Sequence, residues 1–176
     1  MDEILLEFKE ESKGLVEELL DILDSAEVGF DHKDELENYG QIVDRIMGGA
    51  KSVAMASDSP MPEQIGSYAE LCKIVGYKGS QISEDGPFYT VVIAFLQDAT
   101  EMLEVMIDVT GTKKEQSIKE ILSATFLDRL KWISERFEEG LRASVATKTD
   151  DAPKKENEQA DICLLYTSDA ADVELV

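Results

Sequence analysis

Few residues of this chain are of the types that do covalent chemistry. One histidine, His32, and two cysteines, Cys72 and Cys163, occur in 176 residues. A zinc site of the usual His/Cys composition cannot be assembled from that supply, and neither can a disulfide framework. Nucleophilic catalysis of the Ser-His or Cys-His kind needs an imidazole beside the nucleophile. His32 sits in the polar turn Asp31-His32-Lys33-Asp34 and reads as a solvated loop residue, and Cys72 falls on the apolar stripe of a predicted helix, where a thiol is a small core residue. Gly48-Gly49 lies inside a helical pattern rather than after a strand, so it is not a phosphate loop. The expectation is a chain with no metal and no cofactor of its own.

What remains is a polar helix face. Between about 34 and 56, Leu36, Tyr39, Val43, Ile46, Ala50 and Val53 recur at helical spacing and define an inward stripe. The opposite face then carries Glu37, Gln41, Asp44, Arg45, Gly48, Lys51 and Ser52. Glu37 and Gln41 are spaced i,i+4, which makes their side chains neighbours. Gly48 and Gly49 interrupt the helix at a cost of about 1 kcal/mol each relative to alanine. Such glycines either let a second helix approach closely or let a bulky partner lie flat against that turn.

The elements around this helix follow from the same periodicity. A first helix is expected over about 2–27, with Phe8, Leu15, Leu19, Ile22 and Ala26 inward. A third runs from Pro62 to Val75, with Ile65, Leu71, Cys72 and Val75 inward, and stops at Gly76. A fourth starts after Gly86-Pro87, carries Phe88, Val92, Phe95, Ala99, Met102, Met106 and Val109, and is closed by Gly111. A long fifth helix is expected over about 113–145, with Ile118, Leu122, Leu130, Ile133, Phe137 and Leu141 inward. The β-prone run Tyr89-Thr90-Val91-Val92-Ile93 continues into a helical pattern and is read as helix. Five helices with short connections predict an all-α antiparallel bundle over residues 1–146. Residues 147–162 read as an acidic disordered linker. Residues 163–176, beginning Cys163-Leu164-Leu165-Tyr166-Thr167-Ser168, look like a translated sequencing adapter, so the native chain is expected to continue differently past Ile162.

Charge narrows the partners. Seventeen Lys+Arg against 38 Asp+Glu leave a formal charge of −21. That field opposes nucleic-acid backbones and anionic membrane surfaces alike. No apolar stretch approaches the roughly 20 residues of a membrane span, and Met1-Asp2-Glu3-Ile4-Leu5-Leu6-Glu7-Phe8 is not a signal peptide. The expectation is a soluble, cytoplasmic protein.

Two family resemblances are carried by named residues. The first 80 residues are similar to the histidine-phosphotransfer (HPt) domain of the chemotaxis kinase CheA, both in the opening Ile4-Leu5-Leu6-Glu7-Phe8-Lys9-Glu10-Glu11-Ser12 and in the second helix. There Arg45, Lys51, Ser52 and Ala54 fall in the family register, and Gly48 occupies the place of the phosphorylated histidine. The resemblance implies an HPt-like bundle and a chain unable to carry a phosphoryl group. The segment Glu37-Asn38-Tyr39-Gly40-Gln41-Ile42-Val43-Asp44-Arg45-Ile46-Met47 resembles the active-site stretch of CheZ phosphatases. Gln41 matches the catalytic glutamine, and Glu37 stands where that family has aspartate. Glu158-Gln159-Ala160-Asp161-Ile162 resembles the start of peptides that tether CheY-like receivers.

What the resemblances imply is a chemotaxis or two-component protein that binds a response-regulator receiver domain through its second helix. Gln41 would orient a water for attack on the receiver's aspartyl phosphate, and Glu37 would contact the receiver's lysine. The Mg²⁺ would be the receiver's own. Asp44, Arg45, Gly48, Lys51 and Ser52 would form the rest of the docking face. The alternatives are an inert HPt-like adaptor and a dimerisation module using Trp132, Phe137 and Leu141 of the fifth helix, with a homodimer as product.

Overall fold

The computed structural model describes residues 2–144. The expected linker and adapter segments, 147–162 and 163–176, lie outside the described residues. The described chain forms α1 (Glu3–Glu27), a 3-10 turn at Phe30–His32, α2 (Glu35–Ala56), α3 (Met61–Ser80), α4 (Pro87–Val109), α5 (Ile118–Ile121) and α6 (Ala124–Arg136). Among the described residues there is no strand, and Tyr89–Ile93 is part of α4 as expected.

The first four helices run up, down, up and down. Phe8 and Glu11 of α1 meet Gly49 and Arg45 of α2, in reversed order. Leu36 and Tyr39 of α2 likewise meet Gly79 and Gly76 of α3. Tyr68 of α3 donates to the Ala99 carbonyl of α4 at 2.7 Å, while Gly79 packs on Val92. The circuit closes where Lys9 of α1 caps the end of α4 and the Ala26 carbonyl accepts from Tyr89 at 2.7 Å. All six residues assigned to the inward stripe of α2 are buried. In α1 the expected stripe is right except at Ile22, which is half-buried; Leu23 takes its place because the stripe also uses Leu5 and Val16 and is rotated accordingly.

Two expected boundaries move. The third helix does not stop at Gly76 but continues to Ser80. Gly76 is there for packing: a Cβ on it would lie 2.7 Å from the Tyr39 ring. The reciprocal arrangement occurs one position along, where a Cβ on Gly40 would lie 2.7–2.9 Å from the Tyr77 ring. Tyr39-Gly40 and Gly76-Tyr77 thus interlock, each aromatic seated on the other helix's glycine. With Leu36 over Gly79, this makes the α2–α3 contact the most extensive in the bundle.

The long fifth helix is instead two short ones. Ser117 and Glu120 form a capping box that starts α5, and the Ser123 hydroxyl accepts from the Phe126 amide at 3.1 Å to start α6. Between them Leu122 is extended. The helix ends at Arg136, after which Phe137 is extended and Gly140 takes φ +83°. Residues 137–142 fold back as a strap. Gln81 holds the Arg142 backbone through two hydrogen bonds, at 2.7 and 3.0 Å, and Ser83 donates to Glu138 at 2.6 Å.

The α6 helix packs over α3 and α4, with Phe126 stacked on Phe95 at 5.0 Å between centroids and Arg129 bound to Asp98 at 2.6 Å. No described element covers the outward face of α2. No helix among the described residues is long and apolar enough to cross a membrane.

Candidate functional site on the second helix

The outward face of α2 is held rigidly from behind. Its inner stripe is buried between α1 and α3, and the interlocked tyrosines fix its rotation against α3. Side chains on the outer face leave in two directions. Arg45 leans toward α1 and pairs with Glu11 at 3.6 Å. Asp44 and Lys51 lean toward α3, where Lys73 reaches Asp44 at 2.7 Å and Glu70 reaches Lys51 at 3.8 Å. The Lys51 stem also lies over Gly66, whose Cβ would sit 3.2 Å from it. In each pair at least one side chain is about half-exposed, so each contributes about 0–1 kcal/mol.

Between the two fans lie Gln41 and Gly48, two turns apart along the crest. Gln41 is exposed, and its carboxamide makes no hydrogen bond to any described residue. A Cβ on Gly48 would meet nothing within 4 Å. The glycine therefore opens the crest of the face rather than admitting a neighbouring helix. Gly49, by contrast, packs on Phe8, with a Cβ there 3.3 Å from the ring. Only Gly49 thus meets the close-packing reading of the pair. Ser52 turns its hydroxyl back to the Gly48 carbonyl at 3.0 Å, so it shapes the helix more than it offers a free donor.

Glu37 is half-buried rather than fully exposed, one turn before Gln41. Its charge acts on Tyr77, whose phenol is pushed up first by burial and then by the negative charges of Asp44 and Glu37. Tyr77, Lys73, Glu70 and Glu11 flank the face and were missed by a reading confined to one helix. The paired dipeptides Tyr39-Gly40 and Gly76-Tyr77 were the available signal for Tyr77. Gly40, next to Gln41 in the chain, is buried as the seat for Tyr77.

His32 and Cys72 are placed as expected. His32 is exposed in the 3-10 turn ahead of α2, and Cys72 is buried, its thiol pushed up to about 12 by desolvation. Among the described residues no group of three or more His, Cys, Asp or Glu could hold a metal ion. The interface expected along a fifth helix has no single helix to lie on. Trp132 is on α6, whereas Phe137 and Leu141 belong to the strap, and all three border a cleft of about 540 Å³.

Comparison with known proteins adds no relative: no family model matches the chain, and neither curated proteins nor solved structures give a match.

Proposed function

We propose that this chain is a cytoplasmic two-component signalling protein that docks a receiver domain on the outward face of α2 and hastens loss of its aspartyl phosphate. The observation that carries the reading is Gln41: a free, exposed carboxamide at the crest of a helix face that no described element covers, one turn from a carboxylate. An amide inserted beside a phosphoryl group supplies what a receiver lacks, a water fixed in line for attack. The open surface at Gly48 lets the partner's loops approach the crest, and Glu37, half-buried one turn before Gln41, offers a carboxylate for the receiver's lysine. Mg²⁺ belongs to the receiver in this scheme. The HPt-like resemblance of the sequence and the four-helix arrangement support the same docking face; Gly48 excludes phosphotransfer through that position.

The test is the decay of a phosphorylated chemotaxis-type receiver with and without this protein. Wild-type chain accelerates decay. Gln41→Ala keeps receiver binding and loses about 10²–10³ of the acceleration, the cost of one positioning interaction. Glu37→Ala weakens both binding and rate. A receiver that binds wild-type chain with no change in decay establishes the second reading, a docking adaptor, which the absence of a phosphorylatable side chain at Gly48 favours.

A further inference from the structure

The cleft on the α4–α6 side of the bundle, at the end where α2 begins, is built from three pieces of chain: the loop 82–86, the first turns of α4, and α6 with its strap. Its floor is aromatic. Phe88 lies 6.2 Å from Trp132 and 5.3 Å, edge-on, from Phe137. Ile82 and Val91 extend the apolar wall. The opening is preformed because Gln81 and Ser83 pin the strap at Arg142 and Glu138. A volume of about 540 Å³ is that of a small-molecule site, within the usual range of about 300–1,000 Å³.

The charges select the ligand. Glu84, Asp85 and Glu138 stand at the cleft against one cation, Arg136. Arg136 is itself laid over the Trp132 ring, 3.6 Å from its centroid. The ring face thus already holds a cation supplied by the fold, as the quadrupole of an indole favours. An anionic ligand would face three carboxylates on a chain of charge −21. We propose that this cleft binds an amphipathic amine, a small molecule with an apolar or aromatic body against Phe88 and Phe137 and an ammonium head at the Glu84/Asp85 rim. This site is independent of the receiver-docking reading.

Trp132 is the only tryptophan of the chain, so its fluorescence reports the cleft directly. The full chain is titrated with phenylbutylamine, phenylbutanol and phenylbutyrate, which share one apolar body and differ in head group. The amine gives a saturable change in emission, the alcohol binds about three- to tenfold more weakly, and the carboxylate more weakly still. Glu84→Gln with Asp85→Asn, both exposed positions, removes the preference of amine over alcohol. Arg136→Ala tightens the amine, because the one like charge lining the cleft is removed. Equal binding of the three probes, unsaturable quenching, or an amine preference that survives the rim substitutions overturns the proposal.

Discussion

Gly40 and Gly48 stand two turns apart on one helix, and their surroundings predict opposite responses to a methyl group. On Gly40 the new Cβ meets the Tyr77 ring at under 3 Å, with Tyr77 buried and held by its own packing. Gly40→Ala is expected to cost about 1–3 kcal/mol by overpacking. On Gly48 the methyl enters open space, so Gly48→Ala is expected to stabilise by about 0.5–1 kcal/mol through helix propensity. Urea denaturation of the two variants checks this; equal shifts of the midpoint would mean that the Tyr-Gly interlock does not exist. Sequence reading could place Gln41, Arg45 and Gly48 on one outward face because period 3.6 alone decides it. It could not see that Asp44, Arg45 and Lys51 are engaged by Lys73, Glu11 and Glu70, since those partners lie 19 to 34 positions away in the chain.

Among the elements, α4 depends on a cation from another helix. Lys9 is buried, and its ammonium donates to the Asp108 and Thr110 carbonyls at 2.8 and 2.9 Å, at the negative end of the helix dipole. Lys9→Met keeps the apolar stem but strips both carbonyls of their donor, an expected loss of about 1–3 kcal/mol. Hydrogen exchange should show the added opening concentrated in the last turn of α4 and the first turns of α1; uniform exchange gain would contradict a local cap. The periodic helices α1, α2 and α4 were legible to within a residue or two because a buried stripe runs their whole length. The fifth was not, because Ile118, Leu122, Leu130 and Ile133 keep a plausible helical spacing across a real break. The break was written in polar residues instead, in Ser117 with Glu120 and again in Ser123. Gly76 misled in the other direction: a glycine inside a helix can be a seat for an aromatic ring as well as a stop.

At the scale of the whole molecule, the bundle centre holds acids it keeps protonated. Burial pushes the Cys72 thiol up to about 12 and raises the phenols of Tyr39 and Tyr68 well above their ordinary value. The unfolded chain releases these protons from about pH 8.5 for thiol and about pH 10 for phenol. Above those values the unfolded state binds fewer protons than the native state, so stability falls as pH rises. The contribution is complete at neutral pH and is lost progressively toward the folded-state values. A urea midpoint that stays level between about pH 8 and about pH 11 would contradict a closed core around Tyr39, Tyr68 and Cys72.

The same view of the molecule places the two proposed surfaces apart, with the receiver face on α2 and the aromatic cleft between α4, α6 and the strap. The central claim is the first of these, and it is tested most directly by a footprint. Amide shifts of the isotopically labelled chain are followed by NMR during titration with a chemotaxis-type receiver domain activated by beryllofluoride and Mg²⁺. The predicted result is a set of shifts concentrated at Glu37, Gln41, Asp44, Arg45, Gly48 and Ser52, with the α6 and strap amides unmoved. Shifts confined to the cleft around Trp132, or a spectrum unchanged by the receiver, would contradict the account.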